Sequence, residues 1–316
     1  MPNPQALNAV YSSRNMTRRY EVWFLRCGLA DGRGAWWFRY LLMNLGRHGC
    51  STKHAEMPIQ VWATWFPRDS KPQTFIQGFP VGQLDLTGRF QLPFHCRVAD
   101  NGIDENSCWG NLLVDGHTIS WKLRNHSNFG ITLSDKGWIG FTKSPHSDAF
   151  FSGEITLDGQ SFSGDPLGFG VQGHNCGYRH RTFWRWMHAY FPHPDGTPST
   201  LEAVIYDMPF GLLFRKAVLW HRRNTFILKN LREQEIIRVP DLLKWSFAAS
   251  QRGLSIEASI EAAAPGIHRL PYVKTDCSGT FPVSNASLAR ATLRLGKNLE
   301  EALETPFGAV LEMGGD

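Results

Sequence analysis

Residues 168–190, GFGVQGHNCGYRHRTFWRWMHAY, bring His174, His180 and His188 together with Trp184, Trp186 and several arginines in one short stretch. An imidazole titrates near neutrality and can shuttle a proton. Gly170, Gly173 and Gly177 allow backbone conformations closed to other residues, which predicts a bend aiming His174 and Asn175 into a cavity. Two carboxyl groups sit in aromatic surroundings: Glu21, in the run YEVWFLR, and Asp207, in Ile205-Tyr206-Asp207. A carboxylic acid whose pKa is raised by burial can protonate an isolated alkene, and aromatic faces can hold the cation that results. Each residue also has a plainer role. His174 and Asn175 could bond the backbone of the bend, Asp207 could begin the turn at 208–211, and Glu21 could pair with an arginine.

Strand alternation places Trp184, Trp186 and His188 on one face and Phe183, Arg185 and Met187 on the other. Trp186 is the ligand-facing choice, while Trp184 fits a core. Trp23 and Tyr40 in the first aromatic runs, with Asn175 and Tyr178 beside the histidine, complete the expected ligand-binding set.

Other chemistries fit less well. Gly168-x-Gly170-x-x-Gly173 matches a dinucleotide fingerprint, but Ser163-Gly164-Asp165-Pro166 precedes it where an apolar strand is required, and no helical pattern follows. The three histidines lack the close spacing of a zinc site, so no metal is expected. Cys176 carries no nucleophile signature. The six cysteines, Cys27, Cys50, Cys96, Cys108, Cys176 and Cys277, form no Cys-x-x-Cys pair and read as free thiols.

The 316 residues, 42% of them apolar, can build a real core, and twelve tryptophans exceed what a core alone usually needs. A net charge of +5, spread among aromatics, does not indicate nucleic acid. Residues 1–18 form a polar tail without a signal-like apolar core, and no run reaches membrane-spanning length. A soluble, cytoplasmic protein is expected, with transient membrane contact left open.

Short apolar runs alternate with Gly turns throughout. Examples are Asp31-Gly32, Asp115-Gly116 and Asp158-Gly159, and residues 289–295 alternate with a period of two. Helical signal is confined to a short acidic segment, 298–303. The fold class is all-β and antiparallel, and the length suits two units better than one. The linker-like residues 161–166 suggest domains of 19–164 and 165–316 after the tail.

Residues 144–159 (SPHSDAFFSGEITLDG), 173–177 (GHNCG), 279–289 (GTFPVSNASLA) and 308–313 (GAVLEM), with 20–42, resemble the carotenoid 1,2-hydratase (hydroxyneurosporene synthase) and AttH-like family. The resemblance implies two lipocalin-like antiparallel β-barrel domains packed together, with a cavity between or within them. It implies a cofactor-independent enzyme that protonates an alkene of a polyene or terpenoid-like molecule, leading to hydration, cyclisation or isomerisation. Its Tyr and Asp positions fall near Tyr206 and Asp207, so the expected catalytic set is His174, Asp207, Glu21 and Tyr206. One departure is clear: the family reads Gly-His-Asn-Trp-Gly, and this chain has Cys176 at the Trp. The alternative from another class is a lipocalin-like carrier that returns its hydrophobic ligand unchanged. An enzyme needs an ionisable group in the cavity, and a carrier needs only apolar walls.

Overall fold

The structure, a computed structural model, describes residues 4–46, 57–178, 180–251, 253–276 and 278–315. Cys50 and Cys277 lie outside the described residues; the other four cysteines are free and buried. No described helix is long and apolar enough to cross a membrane.

The chain folds into two lipocalin-like antiparallel β-barrel domains. The first contains β1 (Tyr20–Leu29), β2 (Gly34–Met43), β3 (Ile59–Pro67), β4 (Gln73–Phe79), β5 (Leu84–Thr87), β6 (His95–Val98), β7 (Asn101–Asp104), β8 (Ser107–Val114), β9 (His117–His126), β10 (Ile131–Asp135), β11 (Gly140–Leu157) and β12 (Gln160–Gly177). The second contains β13 (Trp184–Phe191), β14 (Ser199–Asp207), β15 (Leu213–His221), β16 (Asn224–Leu228), β17 (Arg232–Val239), β18 (Leu242–Gln251), β19 (Leu254–Ala263), β20 (His268–Val273), β21 (Thr280–Gly296) and β22 (Glu301–Gly314). The Asp-Gly pairs make the tight turns their type requires: Asp115 and Gly116 have φ of 51° and 85°, and Asp158 and Gly159 have 49° and 84°.

Both sheets follow one plan. The order β4-β3-β2-β1-β12-β11-β9-β8 of the first matches β16-β15-β14-β13-β22-β21-β19-β18 of the second, and short β10 and β20 pair with long β11 and β21. The two halves share almost no sequence, yet Ser144-x-x-Ser147-x-Ala149 in β11 corresponds to Ser284-x-x-Ser287-x-Ala289 in β21. Both motifs sit at register shifts of the long hairpin.

Each barrel interior is filled. Trp23, Leu25, Trp36, Phe38, Tyr40 and Phe151 are among the side chains packing the first, and Met187, Leu201, Trp245, Phe247 and Leu293 are among those packing the second. The outer faces are buried as well, because each domain lends its short strand to the other. Ile131 and Leu133 of β10 pack against Trp186, Val204 and Trp220. Leu270 and Tyr272 of β20 pack against Trp62 of β3.

A reciprocal pair of hydrogen bonds fixes this docking. Arg26 of β1, 1% exposed, donates to Ser287 O from Nε (3.0 Å) and Nη2 (2.8 Å), and also to Phe307 O. In the other direction, His188 of β13 donates from Nε2 to Ser147 O at 2.7 Å. Each domain thus grips the serine motif of its partner's long strand.

Four expectations are corrected. The domain border at 164/165 falls inside β12, which pairs with β1 along its whole C-terminal half; the chain changes sheets between Gly177 and Trp184. The polar tail is not peripheral. Its 3₁₀ turn Pro4–Asn8 leads to Val10, fully buried in the first core, and Asn8 exchanges two amide hydrogen bonds with Gln172 at 3.0 and 2.8 Å. Gly170, Gly173 and Gly177 make no bend but lie along β12. They are required for close approach: a Cβ on Gly173 would stand 2.1 Å from the Phe24 ring, and one on Gly170 1.9 Å from Arg26 O. The acidic segment 298–303 forms a turn and the start of β22 instead of a helix.

Losing Arg26 strands buried carbonyls, each costing about 1–3 kcal/mol. Arg26→Met is expected to lower the unfolding free energy by about 3 kcal/mol in urea titration. Burial pushes His146 down to about 4 and His180 and His188 down to about 3. Their stabilisation is present above the unfolded value of 6.5 and is lost as pH falls toward the folded values. Glu202 is pushed the other way by burial, from 4.5 to about 7, so its stabilisation is present below 4.5 and lost as pH rises through about 7. Three depressed imidazoles outweigh one raised carboxyl group, so the melting temperature should climb as pH rises toward about 7 and change little just above it. Glu202→Gln should gain about 2 kcal/mol over wild type near pH 9 and little near pH 5.

Candidate functional site

Buried apolar side chains occupy both barrel interiors, and an enclosed space lies between the barrels, on the outer faces of β1, β2 and β12 and of β13, β14 and β22. A cavity of about 280 Å³ opens there. Its apolar wall is aromatic. Phe24 stacks on Trp37 at 5.0 Å and meets Trp186 edge-on at 5.3 Å, and Trp37 and Trp186 are 6.0 Å apart. Strand alternation produces this wall: Trp23 and Leu25 turn into the first barrel, so Val22 and Phe24 must face the second domain.

Polar side chains stand at intervals around the wall. Tyr206 shares a hydrogen bond with Ser134 of β10 across the domain seam at 2.7 Å. Glu312 is the one carboxyl lining the cavity among the described residues. Its Oε1 accepts Trp184 Nε1–H at 2.9 Å, and its Oε2 accepts Tyr272 O–H at 2.7 Å and Asn285 Nδ2–H at 3.2 Å. His180 stacks on Tyr20 at 4.3 Å. Arg39 and Asn175 complete the ring. Atoms of three of these groups, Arg39 Nη1, His180 Nε2 and Asn175 Oδ1, are buried without a hydrogen-bond partner. Such atoms are costly in a native protein unless something else meets them. A second, wider space of about 800 Å³ adjoins at Tyr178, His180 and Arg181 and is also lined by Arg18, Lys274 and Asp276.

Behind Trp186 lies a second polar group, on the seam itself. Glu202 Oε1 accepts Trp186 Nε1–H at 2.8 Å and Ser144 Oγ–H at 2.7 Å, and burial raises its pKa to about 7. Its Oε2, with Ser147 Oγ, His188 Nδ1 and Thr200 Oγ1, is buried without a partner.

The residues expected from the sequence divide into three groups. Tyr206, Asn175, Tyr178 and Trp186 line the cavity. His174, Glu21, Trp23 and Tyr40 do not; they belong to the first barrel's interior. His174 Nε2 is 2.8 Å from Glu21 Oε1, its Nδ1 donates to Leu7 O at 2.8 Å, and its ring stacks on Trp23 at 4.6 Å. Glu21 also accepts the backbone N–H groups of Tyr11 (2.8 Å) and Ser12 (2.6 Å). This buried pair therefore anchors the N-terminal segment. Tyr40 O–H donates to Trp109 O at 2.9 Å. Asp207, the third case, holds the turn before β13 by accepting Thr182 Oγ1–H at 2.8 Å and Phe183 N–H at 3.1 Å. Burial pushes the Cys176 thiol up to about 12, which leaves it unreactive. The histidines occupy three separate places, and no group of three metal-ligating side chains occurs among the described residues. Gly168–Gly173 lies within β12, where no helix N-terminus meets it.

Arg39, Tyr272, Glu312 and Glu202 escaped the sequence reading, and His180, noted in the dense central run, was not placed in the expected site. A signal existed for Arg39, which interrupts the apolar run Trp36-Trp37-Phe38-Arg39-Tyr40-Leu41-Leu42. The others are scattered over β14, β20, β22 and the 178–183 connection, and only the docking of the two domains assembles them.

No family model and no curated protein sequence matches the chain. Solved structures share its fold. Kievitone hydratase from Nectria haematococca superposes with a TM-score of 0.56 at 12% identity, covering 98% of this chain and 94% of that one. The crystal structure of CghA gives 0.61 at 11% identity, with 100% and 96% covered. An AttH-like protein from Nitrosomonas europaea gives 0.54 at 12% identity, with 94% and 92% covered. The chain therefore has the double-barrel fold of these proteins along essentially its full length.

Proposed function

We propose that this protein is an enzyme that converts a hydrophobic, unsaturated small molecule, polyene- or terpenoid-like, in the cavity between the barrels. The reaction class is proton transfer to or from a conjugated system, with hydration, cyclisation or isomerisation as the outcome. The observation that carries this reading is the joining, in one enclosed space, of an aromatic wall to a ring of ionisable side chains. A carrier has no need of the second. The fold neighbour named for a hydratase, and CghA, whose crystal structure with Sch210972 has the same fold, point the same way. No cofactor is required for such chemistry.

In this reading the ligand's apolar body lies against Phe24, Trp37 and Trp186. Positive charge developing on an alkene carbon is met by the indole faces. Glu312 is the group placed to give and take the proton, with Tyr272, Trp184 and Asn285 holding the carboxyl group in position. His180, kept neutral by burial, and Tyr206 are placed to bond a carbonyl or hydroxyl of the ligand. The packed seam limits which water reaches the reacting carbon, and so selects between adding water and closing a ring.

The test is incubation of purified protein with a panel of unsaturated terpenoid and polyketide acids and alcohols, followed by mass spectrometry. A product that has gained one water, or an isomer of altered retention, supports the enzyme. Bound molecules recovered unchanged across the panel favour the carrier. With an active substrate, Glu312→Gln should lower kcat by about 100-fold or more; its amide NH2 must face a donor that the carboxyl group now accepts from, so a stability loss of about 1–3 kcal/mol is expected beside it, and kcat is read below the variant's melting temperature. An unaffected kcat would remove Glu312 from the proposal.

A further inference from the structure

Arg39 stands in the middle of β2 and is only 3% exposed. Its guanidinium lies over two rings, 4.6 Å from the centroid of Trp62 and 3.8 Å from that of Tyr272. No carboxylate pairs with it among the described residues, and its Nη1 is buried without a hydrogen-bond partner. Taking such a cation out of water is costly, and ring faces return only part of that cost. A buried charge in a folded protein is therefore ordinarily met by an opposite one. Glu312, the one carboxyl on this cavity, makes no ion pair with Arg39 and is already engaged by three donors.

His180 adds to the same end. Its Nδ1 lies 3.4 Å from Thr275 Oγ1, its Nε2 has no partner, and burial keeps the ring neutral. The tautomer in which Nδ1 accepts the Thr275 hydroxyl puts a second N–H donor on the cavity wall that also carries Arg39. Beside one unpartnered acceptor, Asn175 Oδ1, two unpartnered nitrogens leave donors in excess on this cavity, which suits an acceptor.

We infer that the Arg39–His180 end of the cavity binds an anionic head, a carboxylate or an acidic enolate, on the otherwise hydrophobic ligand. The inference rests on reading the cavity as the ligand site and adds the ligand's class: an unsaturated organic acid, not a plain hydrocarbon. The planar guanidinium matches two oxygens of such a head, and its contact with Tyr272 and Trp62 fixes the plane in which they are met. The tail then runs along Phe24, Trp37 and Trp186, past Glu312.

Binding of a neutral–acidic pair of probes separates the possibilities. Cinnamylideneacetic acid and its primary amide have the same conjugated body and differ in head charge. Calorimetric titration of the full chain near neutral pH should show the acid binding about tenfold or more tighter than the amide. Arg39→Met should bring the two affinities together while leaving that of the amide within about twofold. Arg181→Met, which removes a neighbouring charge on the same cavity, should preserve the preference. If Arg39→Met does not fold, the wild-type ratio and the Arg181→Met ratio decide. Equal wild-type affinities would overturn the anionic head and leave the cavity as a ligand site. A preference that persists without Arg39, or disappears without Arg181, would overturn the assignment to Arg39. Failure of both probes to bind would remove the cavity reading and this inference together.

Discussion

The molecule depends on two basic side chains that each bond backbone carbonyl groups of the other domain. Arg26 reaches Ser287 and Phe307, and His188 reaches Ser147. Backbone carbonyl groups buried at a seam must find donors, and register shifts in β11 and β21 free some of theirs from the ladder. The contact is reciprocal because both domains have the same strand order. It holds the outer faces of β1 and β13 at a fixed separation, and that separation is the cavity.

Docking face to face inverts the usual use of a barrel. The interiors are spent on packing, with Trp36, Trp121 and Phe151 filling one and Trp245 and Phe247 the other. What would be solvent-facing surface in an isolated barrel becomes the wall of the cavity. β2 is consequently buried at every position, and aromatic residues fall on both of its faces. The same inversion explains why the most reactive-looking pair, His174 and Glu21, sits in a barrel interior as an anchor for residues 7–12. An imidazole and a carboxyl group that satisfy each other and three backbone groups have no free atom to offer a substrate. Arg39, His180 and Asn175, by contrast, each carry a buried atom without a partner and line the cavity.

Much of the fold was legible residue by residue. The Asp-Gly turns, the period of two at 289–295 and the short apolar runs specify antiparallel strands locally, and they formed where the pattern placed them. The border was not legible, since β12 carries a Gly/Ser/Asp/Pro segment that looks like a linker yet pairs as a strand along the long hairpin. The central glycines misled for a related reason: composition marks a need for small residues without saying whether the need is a bend or a neighbour's ring. The expected bend sent His174 and Asn175 into one cavity, whereas alternation along β12 puts them on opposite faces, and only Asn175 lines the cavity.

By itself, the sequence determined the class of element, the turns, the aromatic excess and the all-β class, because these follow from local patterns of two to ten residues; the pair of barrels followed from the family resemblance. It also put Trp186, Tyr206, Asn175 and Tyr178 in its expected set, and these line the cavity. Only the tertiary structure decided that the cavity lies between the barrels, and that Arg39, His180 and Glu312 meet there. Those groups come from segments remote in the chain, and no local pattern joins one to another. Their meeting is set by the docking of two domains, a relation that no window of sequence contains.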